Sequence, residues 1–143
     1  MNRLREVREE KKLDNKGFSL VELIIVIAIM AVLIGVLAPQ YLKYVEKSRK
    51  SADLDLIDSM VSAVEIYSAD PEHQIVSDHL KCNNNKITAD SQVTAALTDA
   101  GITITSTTTT KSKEYATWDI EFGSEGIKIT GEDGAELKAG LGR

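Results

Sequence analysis

The chain has 143 residues, 43% of them hydrophobic, with a formal net charge of −5 and a single cysteine. That length suffices for one small globular domain plus an anchor and is too short for two domains. The acidic balance disfavours nonspecific nucleic-acid binding, and a lone Cys82 excludes an internal disulfide and the common zinc spacings.

Residues 1–16 carry little apolar content and need no fold of their own. They hold six basic residues (Arg3, Arg5, Arg8, Lys11, Lys12, Lys16) and four acidic ones (Glu6, Glu9, Glu10, Asp14), a net of +2. Gly17-Phe18-Ser19-Leu20-Val21-Glu22 follows, and then an apolar or glycine run from Leu23 to Ala38 that Pro39 ends. In the 21 residues from Phe18 to Ala38 only Ser19 and Glu22 are polar. A helix needs about 20 predominantly apolar residues to span a bilayer, and at about 1.5 Å per residue this one reaches roughly 31 Å. A retained membrane helix is therefore expected. A secretory signal peptide removed near Ala38 fits less well, because such apolar cores run about 7–15 residues before a small-x-small site. Glu22 stands out, since an ionisable residue at the edge of a membrane helix is costly and marks a functional site by default. The plainer reading is that it lies near the membrane surface and snorkels or protonates.

Gly17-Phe18-Ser19-Leu20-Val21-Glu22-Leu23-Ile24 resembles the class III signal of type IV pilins and pseudopilins. With the basic leader before it and the apolar helix after it, the resemblance covers about residues 10–50 and is one of architecture beyond them. It implies that a prepilin peptidase and methyltransferase cuts between Gly17 and Phe18 and then N-methylates Phe18. Residues 1–17 would be a cleaved leader, 18–38 a transmembrane and filament-core helix, and 39–143 a pilin-like globular domain that includes the amphipathic half of the helix. Losing a leader of net +2 would take the chain from −5 to −7.

The same resemblance implies a role for Glu22: it compensates the new amine of Phe18, on its own chain or an incoming neighbour, and so sets axial register. An unpaired buried charge is costly, and pairing recovers much of the loss. The implied partners are further copies of the chain in a helical filament, an inner-membrane assembly platform with minor pilins, and the lipid bilayer before assembly. The implied location is a single-pass cytoplasmic membrane protein with its N-terminus in the cytoplasm, and then an extracellular pilus. Charge alone orients the helix weakly, because Lys43, Lys47, Arg49 and Lys50 on the far flank oppose the six leader cations. Many relatives staple their C-terminal region with a disulfide, and the lone Cys82 points to a branch without one.

The helix is expected to run on to Ser68. Leu42, Val45, Ala52, Leu56, Ile57, Met60, Val61, Val64 and Tyr67 recur at spacings of three and four, with Lys43, Glu46, Lys50, Asp53, Asp55, Asp58 and Glu65 largely on other positions. That is an amphipathic helix with one buried face. A stalk or coiled coil is the alternative, although no strict heptad is sustained. Asp70-Pro71 ends the helix. Gly35 is a poor helix former, and Pro39 offers no N–H to the Gly35 carbonyl, so both weaken one turn. This is either a mild kink without function or, as in the resembling family, a segment that unravels when the helix leaves lipid for a filament.

Residues 71–90 read as an irregular surface loop, with Pro71, His73, Asp78, His79 and three asparagines. His73 and His79 read as solvated histidines near acids rather than as a metal site. Cys82 is either a buried small hydrophobe or a loop residue. Asp90 or Ser91 is placed to cap a short helix through Ala100, and Gly101 fits its C-terminal stop. The threonine-rich stretch 102–110 favours a strand, with a linker or an O-glycosylated patch as alternatives for Thr107 to Thr110. From Tyr115 to Phe122 the pattern alternates: Ala116, Trp118, Ile120 and Phe122 inward, Tyr115, Thr117, Asp119 and Glu121 outward. Gly123-Ser124-Glu125-Gly126 turns the chain into Ile127–Thr130. About three antiparallel strands would cover the amphipathic face of the helix, giving an α+β fold. The tail 131–143 reads as flexible or turn-rich; Glu132, Asp133 and Glu136 are calcium-type ligands without EF-hand spacing.

No enzyme is expected, because no nucleotide loop, HExxH, GxSxG or triad spacing occurs. No cofactor or metal is expected either. The resemblance implies a structural subunit of a type IV pilus. The alternatives are a pseudopilin of type II secretion or competence DNA uptake, and a single-pass membrane binding protein that does not polymerise.

Overall fold

In the computed structural model the described residues are 17–142, so the leader expected at 1–17 lies outside them except for Gly17. The chain falls into two compact units that divide between Gln40 and Tyr41. One helix, α1 (Leu20–Ser68), belongs to both.

The first unit is the apolar part of α1. All its described side chains are exposed, and Ile24, Ile25, Val26, Ile27 and Leu33 each keep at least half of their surface open. By length and composition α1 can cross a membrane.

The second unit begins with the rest of α1. Its buried residues, Asp53, Ile57, Met60, Val61, Ala63 and Val64, repeat at three- and four-residue intervals and form one face. The expected face is right from Leu56 onward. Asp53, expected among the solvated charges, is instead buried in phase with it. After α1 a turn of 3₁₀ helix (Pro71–His73) starts at Pro71, with Asp70 accepting a bond from the Glu72 N–H at 3.0 Å.

Residues 71–90 are not irregular. They contain β1 (Ser77–Asn83) and β2 (Lys86–Ala89), an antiparallel pair in which Cys82 faces Ile87 and Asn83 faces Lys86. The hairpin closes on Asn84 and Asn85, at φ of 50° and 65°. Two positive φ angles in a two-residue loop make the turn whose twist suits a hairpin, and asparagine tolerates them. Asp78, Leu80 and Cys82 point into the core. Cys82 is thus the buried small hydrophobe of the two readings.

Helix α2 (Ser91–Asp99) buries Val93, Ala96 and Leu97. Gly101, at φ 77°, ends it as expected: the Ile102 N–H reaches the Leu97 carbonyl at 2.7 Å and the Gly101 N–H reaches that of Thr98 at 3.0 Å. The stretch 102–110 is not a strand of the sheet; a single bridge, Lys86 to Thr109, ties it to the β2 edge. Its threonines bond one another instead, with the Thr105 N–H on Thr108 Oγ1 at 2.9 Å. A 3₁₀ turn (Lys113–Tyr115) then buries Tyr115 completely, against the expectation that it faces solvent. The turn takes Tyr115 out of the strand alternation.

Strands β3 (Trp118–Gly123) and β4 (Gly126–Thr130) form the expected hairpin, with Trp118, Ile120 and Phe122 buried. The sheet has four antiparallel strands in the order β2-β1-β3-β4. Its inner face and α2 share one core with Ile57, Met60, Val61, Ala63 and Val64 of α1, built around Trp118, Tyr115, Leu80 and Ile120. The tail is ordered as α3 (Gly134–Leu141), anchored by the fully buried Leu137. The fold is α+β and pilin-like: a long N-terminal helix on a small antiparallel sheet.

Candidate functional site

Ser19, Leu20, Val21 and Glu22 build the head of α1. The Ser19 N–H donates to Glu22 Oε2 at 2.9 Å, and the Glu22 N–H donates to Ser19 Oγ at 3.2 Å. This reciprocal pair is a capping box, which satisfies two backbone donors that a helix start leaves open. The Ser-x-x-Glu spacing announces it, and Ser19 was the residue the sequence reading passed over. The carboxylate also lies where the helix dipole favours negative charge. Gly17 and Phe18 precede the cap as exposed, non-helical chain, and Phe18 keeps 86% of its surface open. The structure therefore brings Glu22 to the backbone one residue beyond the Gly17–Phe18 bond. Gly35 and Pro39 lie further along and both remain within α1. Space beside Gly35 is open on the outer side of the helix.

A second group of polar residues joins α1 to the loop before β3. Asp53 accepts from the Lys111 N–H at 2.8 Å and the Ser112 N–H at 2.6 Å. Two turns earlier, Glu46 Oε1 accepts from Ser112 Oγ at 2.8 Å and the Lys113 N–H at 2.9 Å. The Lys113 N–H, and after it the Ser112 hydroxyl, hold the Glu46 carboxyl below its ordinary range. Between them Lys50 pairs with Glu114 and, at 2.9 Å, with Glu136. These two carboxylates, Glu114 first, hold the Lys50 ammonium well above its ordinary value. Sequence reading had placed all three charges on the solvated face. The available signal was Asp53, which keeps step with Ile57, Met60 and Val64 although it is charged.

The remaining candidates separate. His73 lies 3.3 Å from Asp70 on the 3₁₀ turn, while His79 lies 2.8 Å from Asp119 across β1 and β3. Two of the three tail acids are also occupied: Asp133 Oδ2 accepts from the Thr117 N–H at 2.7 Å and Glu136 holds Lys50. Among the described residues no group of three or more His, Cys, Asp or Glu is placed to hold a metal ion.

Comparison with known proteins bears on this arrangement directly. The prokaryotic N-terminal methylation motif matches residues 12–38. The chain is 32% identical over 124 residues to the fimbrial protein EcpC of Eikenella corrodens, an alignment covering 84% of this chain and 78% of that one. No solved structure matches it.

Proposed function

Since this chain belongs to the type IV pilin family, we propose that it is a pilus subunit, cut between Gly17 and Phe18, methylated at Phe18 and polymerised through α1. The observation that carries this is the uncovered apolar stretch of α1 with a carboxylate at its head. No part of the described chain covers that stretch, so it needs an apolar environment from outside. Lipid supplies one before assembly. Other copies supply the second, and head-to-tail contacts of this non-closing kind build a filament. The prepilin peptidase, the assembly platform and minor pilins are the partners such a route uses. A fimbrial relative favours a pilus over a pseudopilus, and the engagement of Asp133 and Glu136 within the fold removes much of the case for a calcium loop.

Cleavage turns the Phe18 N–H into a cationic amine beside the backbone that Glu22 already grips. In a dry filament interior that amine needs a carboxylate, and Glu22 of the same or a neighbouring chain supplies it. Gly35 and Pro39 give the helix a turn that can open during the exchange of lipid for protein.

The test separates charge from capping. Glutamine also serves in a capping box, so Glu22→Gln keeps the helix head and loses only the charge. We expect Glu22→Gln to be cut normally and to lower surface-sheared filament by about tenfold or more. Wild-type filament yield from Glu22→Gln would remove the register role, and failure of cleavage would place Glu22 in peptidase recognition instead.

A further inference from the structure

We propose that the two turns of α1 directly after the apolar run, Tyr41–Lys47, form a collar that binds the anionic headgroups of the bilayer. The inference rests on the membrane stage of the function proposed above and adds to it a lipid class and the residues that select it.

Lys43 and Lys47 are four residues apart, so they share one helix face. Both are exposed, and neither makes an ion pair among the described residues. The next two cations along α1 are engaged: Arg49 lies 3.8 Å from Glu46, and Lys50 is held by Glu114 and Glu136. Glu46 is the one acid within the collar, and it is turned away onto Ser112 and the Lys113 backbone. It therefore leaves both lysines unneutralised. An acidic chain thus keeps two free ammonium groups next to its apolar run.

Tyr41 and Tyr44 point to the same layer. They keep 67% and 69% of their surface open, although both rings are large and apolar. Rings with one apolar body and one polar tip settle at headgroup depth. Lys43 follows Ala38 by five positions, and its stem is long enough to reach phosphate from the edge of the hydrocarbon. The chemistry is an ammonium donating to phosphate oxygens beside a tyrosine hydroxyl. The occupant is an anionic phospholipid rather than a second copy, because the patch continues an apolar run that lipid must already surround.

The experiment reconstitutes the full chain in phosphatidylcholine vesicles that carry a trace of spin-labelled phosphatidylglycerol or spin-labelled phosphatidylcholine. Electron paramagnetic resonance then reads the fraction of each label held against the protein. At low salt the anionic label should be preferred by about fivefold, and the preference should shrink as salt is raised. Lys43→Gln with Lys47→Gln should lower the preference by about half or more, the cations before Gly17 holding the remainder, whereas Arg49→Gln should leave it in place. Equal retention of both labels by the unaltered chain, or an unchanged preference in the double variant, would overturn the collar. Equal retention together with filament loss in the double variant would assign these lysines to contacts between copies, against this proposal. No retained label of either kind would overturn the membrane stage itself, and the collar with it.

Discussion

Asp53 stands four residues before Ile57 and seven before Met60, in phase with the buried face of α1. A charge there is tolerable because two backbone N–H groups, those of Lys111 and Ser112, converge on it. Hydrogen bonding of this kind is what lets a carboxylate stay buried. In return the carboxylate fixes a loop that has no strand partner along most of its length. Truncation would leave the Ser112 donor buried and the Lys111 donor half-buried without that acceptor, an unmade buried bond costing about 1–3 kcal/mol. Asp53→Ala should therefore destabilise the globular unit by about 2–5 kcal/mol, and Asp53→Asn by less because one oxygen remains. Denaturant unfolding of the full chain in detergent, followed through Trp118 fluorescence, measures both. An Asp53→Ala midpoint equal to wild type would refute the role given to Asp53. The same logic explains what the sequence hid at this scale. Asp53, Glu46 and Lys50 look like surface charges until the loop that meets them is known, and that loop lies some sixty residues away.

Among the elements, α1 and the β3–β4 hairpin were legible because their patterns are long and local. The buried positions of α1 from Ile57 onward keep helical spacing, and β3 alternates without a break through Trp118, Ile120 and Phe122. The β1–β2 hairpin was not legible, because Asp78 holds one of the three inward positions of β1. Asp78 is there for a reason: its Oδ2 accepts from the Val93 N–H at 2.7 Å and so caps α2 from outside the helix. Asp90 takes the expected cap position but makes no side-chain cap bond, its carboxylate lying 3.6 Å from Lys81 instead. The threonine stretch misled in the opposite direction. Its β-branched residues suit a strand, yet their hydroxyls satisfy the backbone locally and the ladder never forms. The tail concealed α3 behind four glycines, of which Gly131 lies against β3 just before the helix and Gly140 lies against Leu54 within it. Gly131 has φ 103°, and a Cβ there would lie 2.8 Å from the Trp118 Cα. Gly131→Ala should thus cost about 2 kcal/mol or more and lower the thermal midpoint, whereas Gly126→Ala meets no atom and pays only for its φ. Equal losses from the two variants would contradict the close approach at Trp118.

At the scale of the whole molecule, one helix serves two solvents. From Asp53 onward one face of it lies in a packed core, and up to Gln40 its apolar side chains are covered by nothing in the described chain. The second half explains stability, and the first half is what the proposed route from lipid to filament rests on. The apolar run marks in sequence where the bare part of α1 lies, and the spacing of Ser19 and Glu22 marks the cap, whose reciprocal bonds the structure supplies. Intact-mass and N-terminal analysis of filaments sheared from the cell surface tests the account most directly. It predicts a bulk filament protein that begins at a methylated Phe18 and lacks residues 1–17. Filaments without this chain, or a surface chain that still carries its first seventeen residues, would contradict it.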